Sequence, residues 1–97
     1  MITNKINTIL NNCQQGDIDY TICNYIKMNL KEVAFMSIEE LARKSYVSKA
    51  KIPKFIKKLG YDNYIAFKDD CLLELEIRKQ VTNTNYFLTK KHLHDSL

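Results

Sequence analysis

Apolar residues recur along most of this chain at the spacing of one helix face. Ile2, Ile6, Ile9, Leu10 and Cys13 fall at i, i+4, i+7, i+8 and i+11, which predicts a first amphipathic helix. Gln15 and Gly16 end it, and Asp17 is placed to cap a second helix by accepting an orphan N–H. Ile18, Ile22, Tyr25 and Ile26 form that helix's buried stripe, to about Met28. Asn29 to Met36 reads as a connection. Ser37-Ile38-Glu39-Glu40 is a capping box, with Ser at the cap and Glu three residues on, and it opens a third helix that turns Ile38, Leu41 and Ala42 inward. After a short turn, Ser45-Tyr46-Val47, Ser48 is placed to cap a fourth helix. That helix buries Ile52, Phe55, Ile56 and Leu59 and closes at Gly60. A fifth helix starts after Asp62 or Asn63 and runs to about Lys79. Its apolar residues, among them Phe67, Cys71, Leu72, Leu73 and Ile77, cover more than one stripe.

These elements predict an all-α fold, a five-helix bundle containing a helix-turn-helix of the homeodomain-like kind. They occupy residues 1–80. Residues 81–97 read as a tail or linker, because Thr82 to Asn85 break the pattern and Tyr86, Phe87 and Leu88 stand isolated. Two glycines and one proline in 97 residues are too few turn residues for an all-β domain. The 45% hydrophobic and 27% charged fractions are those of a globular chain.

Charge changes the picture more by its distribution than by its total of +4. Arg43, Lys44, Lys49, Lys51, Lys54, Lys57 and Lys58 are seven of the 15 basic residues, and no Asp or Glu occurs between Leu41 and Tyr61. A solvated helix face usually mixes signs; a run of one sign is the footprint of a phosphate-binding surface. At 100° per residue, the buried stripe of the fourth helix leaves Ala50, Pro53, Lys54 and Lys57 on the outer half and Lys51 and Lys58 on a flank. Lys54 and Lys57 are thus placed for base edges and Lys51 and Lys58 for phosphates, with Lys49 near the helix start. The expected DNA-binding set is Ser37, Lys44, Tyr46, Ser48, Lys49, Ala50, Lys51, Lys54, Lys57 and Lys58, and the expected partner is double-stranded DNA. About five lysines on phosphates imply a slope of log K against log salt of about −4 to −5.

Two residues strain this reading. Tyr46 occupies a turn position where Gly is usual, and a positive φ there costs about 1–2 kcal/mol. Pro53 lies inside the fourth helix if Ser48 caps it, so a tightened or bent first turn is expected.

The remaining chemistry is sparse. Cys13, Cys23 and Cys71 are odd in number and widely spaced, which disfavours a disulfide framework or a zinc site and suits a reducing compartment. His92 and His94 lie in the tail, where two ligands seldom make a metal site. Asp69 and Asp70 are adjacent and point to different sides of a helix, so they form no acid–base pair. No enzyme constellation, cofactor or metal is expected. The chain has neither a signal-peptide pattern nor a run of about 20 apolar residues, so a cytoplasmic protein without a membrane span is expected.

The run SIEELARKSYVSKAKIPKFIKKLGYDNYIAFKDDCLLEL resembles the N-terminal domain of MurR/RpiR-type bacterial transcriptional regulators. Ser37, Glu40, Leu41, Ala42, Val47, Ser48, Ala50, Ile52, Lys54, Phe55, Lys57, Leu59, Gly60, Tyr61, Tyr64, Phe67 and Lys68 carry the match. The resemblance implies a sequence-specific transcriptional regulator of sugar-phosphate metabolism genes. It also implies that a phosphosugar effector acts only through a sugar-isomerase-like domain absent from this chain, which corresponds to the DNA-binding half. Lys54 stands where Arg is the commoner of the two basic residues, and Lys51, Pro53 and Tyr46 depart from the residues usual in that family. The competing reading is a helical interaction module that has lost DNA binding, and the intact basic face argues against it. A homodimer is expected, with the contact on the first helix, the fifth, or both. One recognition helix reads too few base pairs to mark a unique site, and both elements carry apolar stripes.

Overall fold

Six helices, rather than five, make up the described part of the chain in the computed structural model, which describes residues 2–79. The tail at 81–97, with His92 and His94, lies outside the described residues. The helices are α1 (Ile2–Asn12), α2 (Ile18–Met28), α3 (Leu30–Val33), α4 (Ile38–Lys44), α5 (Lys51–Leu59) and α6 (residues 64–79). The described residues contain no strand.

The apolar stripe of α1 faces the core. Ile2 and Ile6 are buried, and Ile9 and Leu10 are packed against the cluster that α2 completes with Ile22, Cys23 and Ile26. Ile9, Leu10 and Cys13, further along the same stripe, are only partly buried. The first turn of α1 is held by a residue 71 positions away. The buried Glu74 of α6 accepts the Thr3 N–H at 2.8 Å, and Arg78 clamps both Thr3 Oγ1 and the Glu74 carboxylate at 2.8 Å. A carboxylate at a helix N-terminus satisfies an orphan donor and complements the helix dipole.

Asp17 does take the cap position of α2, with extended backbone, but its side chain makes no cap bond. Its Oδ2 instead accepts the Gln14 N–H at 3.0 Å and closes the α1–α2 turn. Ile18, expected inward, is 44% exposed.

The segment read as a connection contains α3. Leu30, Val33, Ala34 and Met36 are buried, and the Asn29 carbonyl accepts the N–H groups of Glu32 and Val33. A single turn of helix carries too few apolar repeats to stand out as periodic, although Leu30, Val33 and Ala34 do fall at i, i+3 and i+4.

α6 starts where expected, with Asn63 Oδ1 accepting the Ala66 N–H at 2.8 Å. Phe67, Cys71 and Glu74 form its buried edge. Phe67 sits 5.7 Å edge-on to Tyr61 and 5.5 Å from Tyr64, ring centre to ring centre. The Tyr64 hydroxyl donates to the Met36 carbonyl at 2.9 Å and ties α6 to the entry of α4. The outer side of α6 leaves Ile65, Leu72, Leu73 and Ile77 exposed, so its expected apolar surplus is present.

Candidate nucleic-acid interface

The Ser37 cap forms as its sequence indicates. Ser37 Oγ accepts the Glu40 N–H at 3.1 Å and donates to the Glu40 carboxylate at 3.3 Å. That fixes the start of α4, and its end is fixed by a second device. Tyr46 N–H reaches the Arg43 carbonyl at 3.3 Å and Val47 N–H reaches the Ala42 carbonyl at 3.0 Å. These two bonds are the Schellman pattern, which needs a left-handed residue between them. Tyr46 is that residue, with φ of 61°. The buried Ser45 hydroxyl adds a 2.5 Å bond to the Leu41 carbonyl, and Ala42, buried, lets the two helices approach.

α5 ends by the same pattern. Gly60 N–H bonds the Lys57 carbonyl and Tyr61 N–H bonds the Ile56 carbonyl, with Gly60 at φ 105°. The two helices of the motif thus stop identically, one with a glycine and one with a strained, 93% exposed tyrosine.

The start of α5 differs from the expectation. Ser48 does not cap it. The cap position belongs to Ala50, whose backbone is already right-handed helical and which makes no side-chain cap bond. Ser48 and Lys49 carbonyls accept Lys51 and Ile52 N–H groups at 3.0 and 3.1 Å, a tightened entry of i to i+3 turns. This shift resolves Pro53. With Lys51 as the first helical residue, Pro53 is the third, among the four positions whose N–H has no intrahelical partner. The proline costs no hydrogen bond there, and the expected tightened first turn is what accommodates it.

Ile52, Phe55, Ile56 and Leu59 are buried, so α5 is seated as expected. Lys44, Tyr46, Ser48, Lys49, Ala50, Lys51, Pro53, Lys54, Lys57 and Lys58 are all exposed, as is Ser37, whose hydroxyl is occupied by its cap. A groove of about 270 Å³, lined by Ile18, Asp19, Lys51, Lys54, Phe55 and Lys58, runs between the start of α2 and the flank of α5.

The face is not free of acid, despite the acid-free run. Glu39, on the first turn of α4, pairs with Lys49 at 2.6 Å, and Asp19, on the first turn of α2, pairs with Lys58. The Lys49 hydrogen bond holds the Glu39 carboxyl below its ordinary value, and the Asp19 hydrogen bond raises the Lys58 ammonium above its own. Among the described residues, no carboxylate lies within ion-pair distance of Lys51, Lys54 or Lys57. Asp19 and Glu39 were not legible as part of this face. Asp19 meets Lys58 across 39 positions, and only the packing of α2 against α5 joins them.

The described residues hold no cluster of His, Cys, Asp and Glu that could bind a metal ion, and no helix among them is long and apolar enough to cross a membrane. The three cysteines are free thiols; burial pushes Cys23 and Cys71 up to about 12.

Residues 2–79 match the helix-turn-helix domain of the rpiR family. Over 65 residues, 67% of this chain, the sequence is 34% identical to an uncharacterised HTH-type transcriptional regulator of Clostridium perfringens. The aligned part spans 23% of that relative's length. No solved structure matches the chain.

Proposed function

The chain belongs to the rpiR family of helix-turn-helix domains, and on that premise we propose that it is the DNA-reading part of a sequence-specific transcriptional regulator, with α5 as the recognition helix. The observation that carries this reading is the two-sidedness of α5. Ile52, Phe55, Ile56 and Leu59 are buried on one side, while Lys51, Lys54 and Lys57 stand in solvent on the other. An α-helix fits the major groove, where ammonium groups at Lys54 and Lys57 can donate to guanine O6 and N7. Lys51, Lys44 and the exposed Tyr46 and Ser48 at the turn suit the sugar-phosphate backbone, which positions the protein without reading sequence.

The finer parts of the reading rest on the family resemblance. The regulated genes are those of sugar-phosphate metabolism, the effector is a phosphosugar bound by a sugar-isomerase-like domain, and the regulator acts in the cytoplasm. Its working form is a homodimer joined along α6, where Leu73 and Ile77 stand one turn apart, 52% and 40% exposed.

The test is a fluorescence titration of labelled duplex across a salt series. Two lysines on phosphates, Lys44 and Lys51, give a slope of log K against log salt of about −1.8. A salt-independent affinity, or none for any duplex at low salt, would overturn the DNA-binding reading.

A further inference from the structure

The recognition face carries seven basic residues in sequence but presents fewer uncompensated charges in space. Lys49 and Lys58 stand at opposite ends of it, one ahead of α5 and one in its last turn, and each is held by a carboxylate from another helix. Glu39 and Lys49 are both largely exposed, at 63% and 62% for the lysine and glutamate side chains, so nothing structural requires their contact. Asp19 is more enclosed, at 23%, and lies on the wall of the groove that Lys51, Lys54 and Lys58 share. A carboxylate offers an ammonium what a phosphate oxygen offers: a negative acceptor at hydrogen-bond distance. A lysine already paired with one adds little when a phosphate arrives, because the gain at the phosphate is offset by the loss at the carboxylate.

We propose that Asp19 and Glu39 are internal competitors for the DNA backbone, occupying Lys58 and Lys49 in the free protein and so holding down the sequence-independent part of DNA affinity. This rests on the DNA-binding reading above. The function served is selectivity. Backbone attraction supplies nearly all of non-specific binding, and a genome offers vastly more non-specific sites than operators. Two carboxylates that withhold two of the seven cations reduce binding everywhere, while base contacts from Lys54 and Lys57 are left intact. It follows that Asp19 and Glu39 set affinity although neither is placed to touch a base.

The test uses Asp19→Asn, Glu39→Gln and the double variant, titrated with one arbitrary duplex over a salt series. Each freed lysine that reaches a phosphate steepens the slope by about 0.9. The wild type is expected at about −1.8 and the double variant at about −3.6. Between 50 and 200 mM salt, each single variant should then lose about 3.5 times more affinity than the wild type loses. Lys58→Ala, made in both backgrounds, separates release of a lysine from a general change of charge. It should scarcely change the slope when Asp19 is present and should flatten it by about 0.9 in Asp19→Asn. Glu39→Gln alters an exposed side chain and keeps the test open even if Asp19→Asn loosens the start of α2. Steeper slopes together with a background-dependent Lys58→Ala support the proposal. DNA binding with unchanged slopes, or an equal Lys58→Ala effect in both backgrounds, overturns it and leaves the DNA-binding reading standing. No binding by wild type or variants at low salt overturns both.

Discussion

Tyr46 should destabilise the fold it belongs to. It holds φ of 61° at the end of α4, where the Schellman bonds require a left-handed residue. For an L-residue that conformation costs about 1–2 kcal/mol. Tyr46→Gly removes the cost but returns about 0.5–1 kcal/mol, because glycine gains more freedom in the unfolded chain. The side chain is 93% exposed, so its removal forfeits almost no packing. The net stabilisation is about 0.7 kcal/mol, which in a domain of this size raises Tm by about 3–6 °C. Tyr46→Ala is the control, since it removes the ring and keeps the Cβ that causes the strain. Thermal melts followed by circular dichroism decide the matter. A glycine variant no more stable than the alanine variant would mean that the turn is not strained. Strain retained at an exposed position points to function, so the stabilised Tyr46→Gly protein is also expected to bind duplex more weakly.

Two further outcomes follow from burial. The unfolded chain ionises its thiols near pH 9, whereas Cys23 and Cys71 stay protonated in the fold until about pH 12. Stability is therefore full below pH 9 and falls as pH rises through that window, and at pH 8 the native protein should alkylate quickly at the half-buried Cys13 alone; fast labelling of all three would refute it. Leu73→Glu, which places a charge on the exposed side of α6, should lower self-association in sedimentation without lowering Tm, whereas a wild-type chain that is monomeric at millimolar concentration and binds one copy per DNA site would contradict the dimer.

Much of the fold was legible because its helices are long enough to show their period. The stripes of α1, α2, α5 and α6, the Ser37 cap and the tension at Tyr46 and Pro53 all follow from local spacing and local chemistry. What was not legible depends on contacts between helices or on a segment too short to be periodic. α3 is four residues long. Asp17 and Ser48 are both good capping residues by type, yet Asp17 turns back to Gln14 and α5 begins at Lys51. In both cases a turn ahead of the helix competes with the cap for the same groups. The site shows the same division. Which lysines of α5 face outward is a matter of helical phase and can be read from the chain. That Lys49 and Lys58 already have partners is not, because Glu39 and Asp19 arrive from α4 and α2.

The central claim, that the outer side of α5 and the turn before it form the DNA-facing surface, is tested most directly by amide chemical-shift mapping of the isotope-labelled domain with a short duplex at low salt. The account predicts that shifts concentrate between Lys44 and Lys58, strongest at Lys51, Lys54 and Lys57, while the exposed side of α6 around Leu72 and Ile77 stays still. Shifts centred on α6, with α5 unmoved, would contradict it.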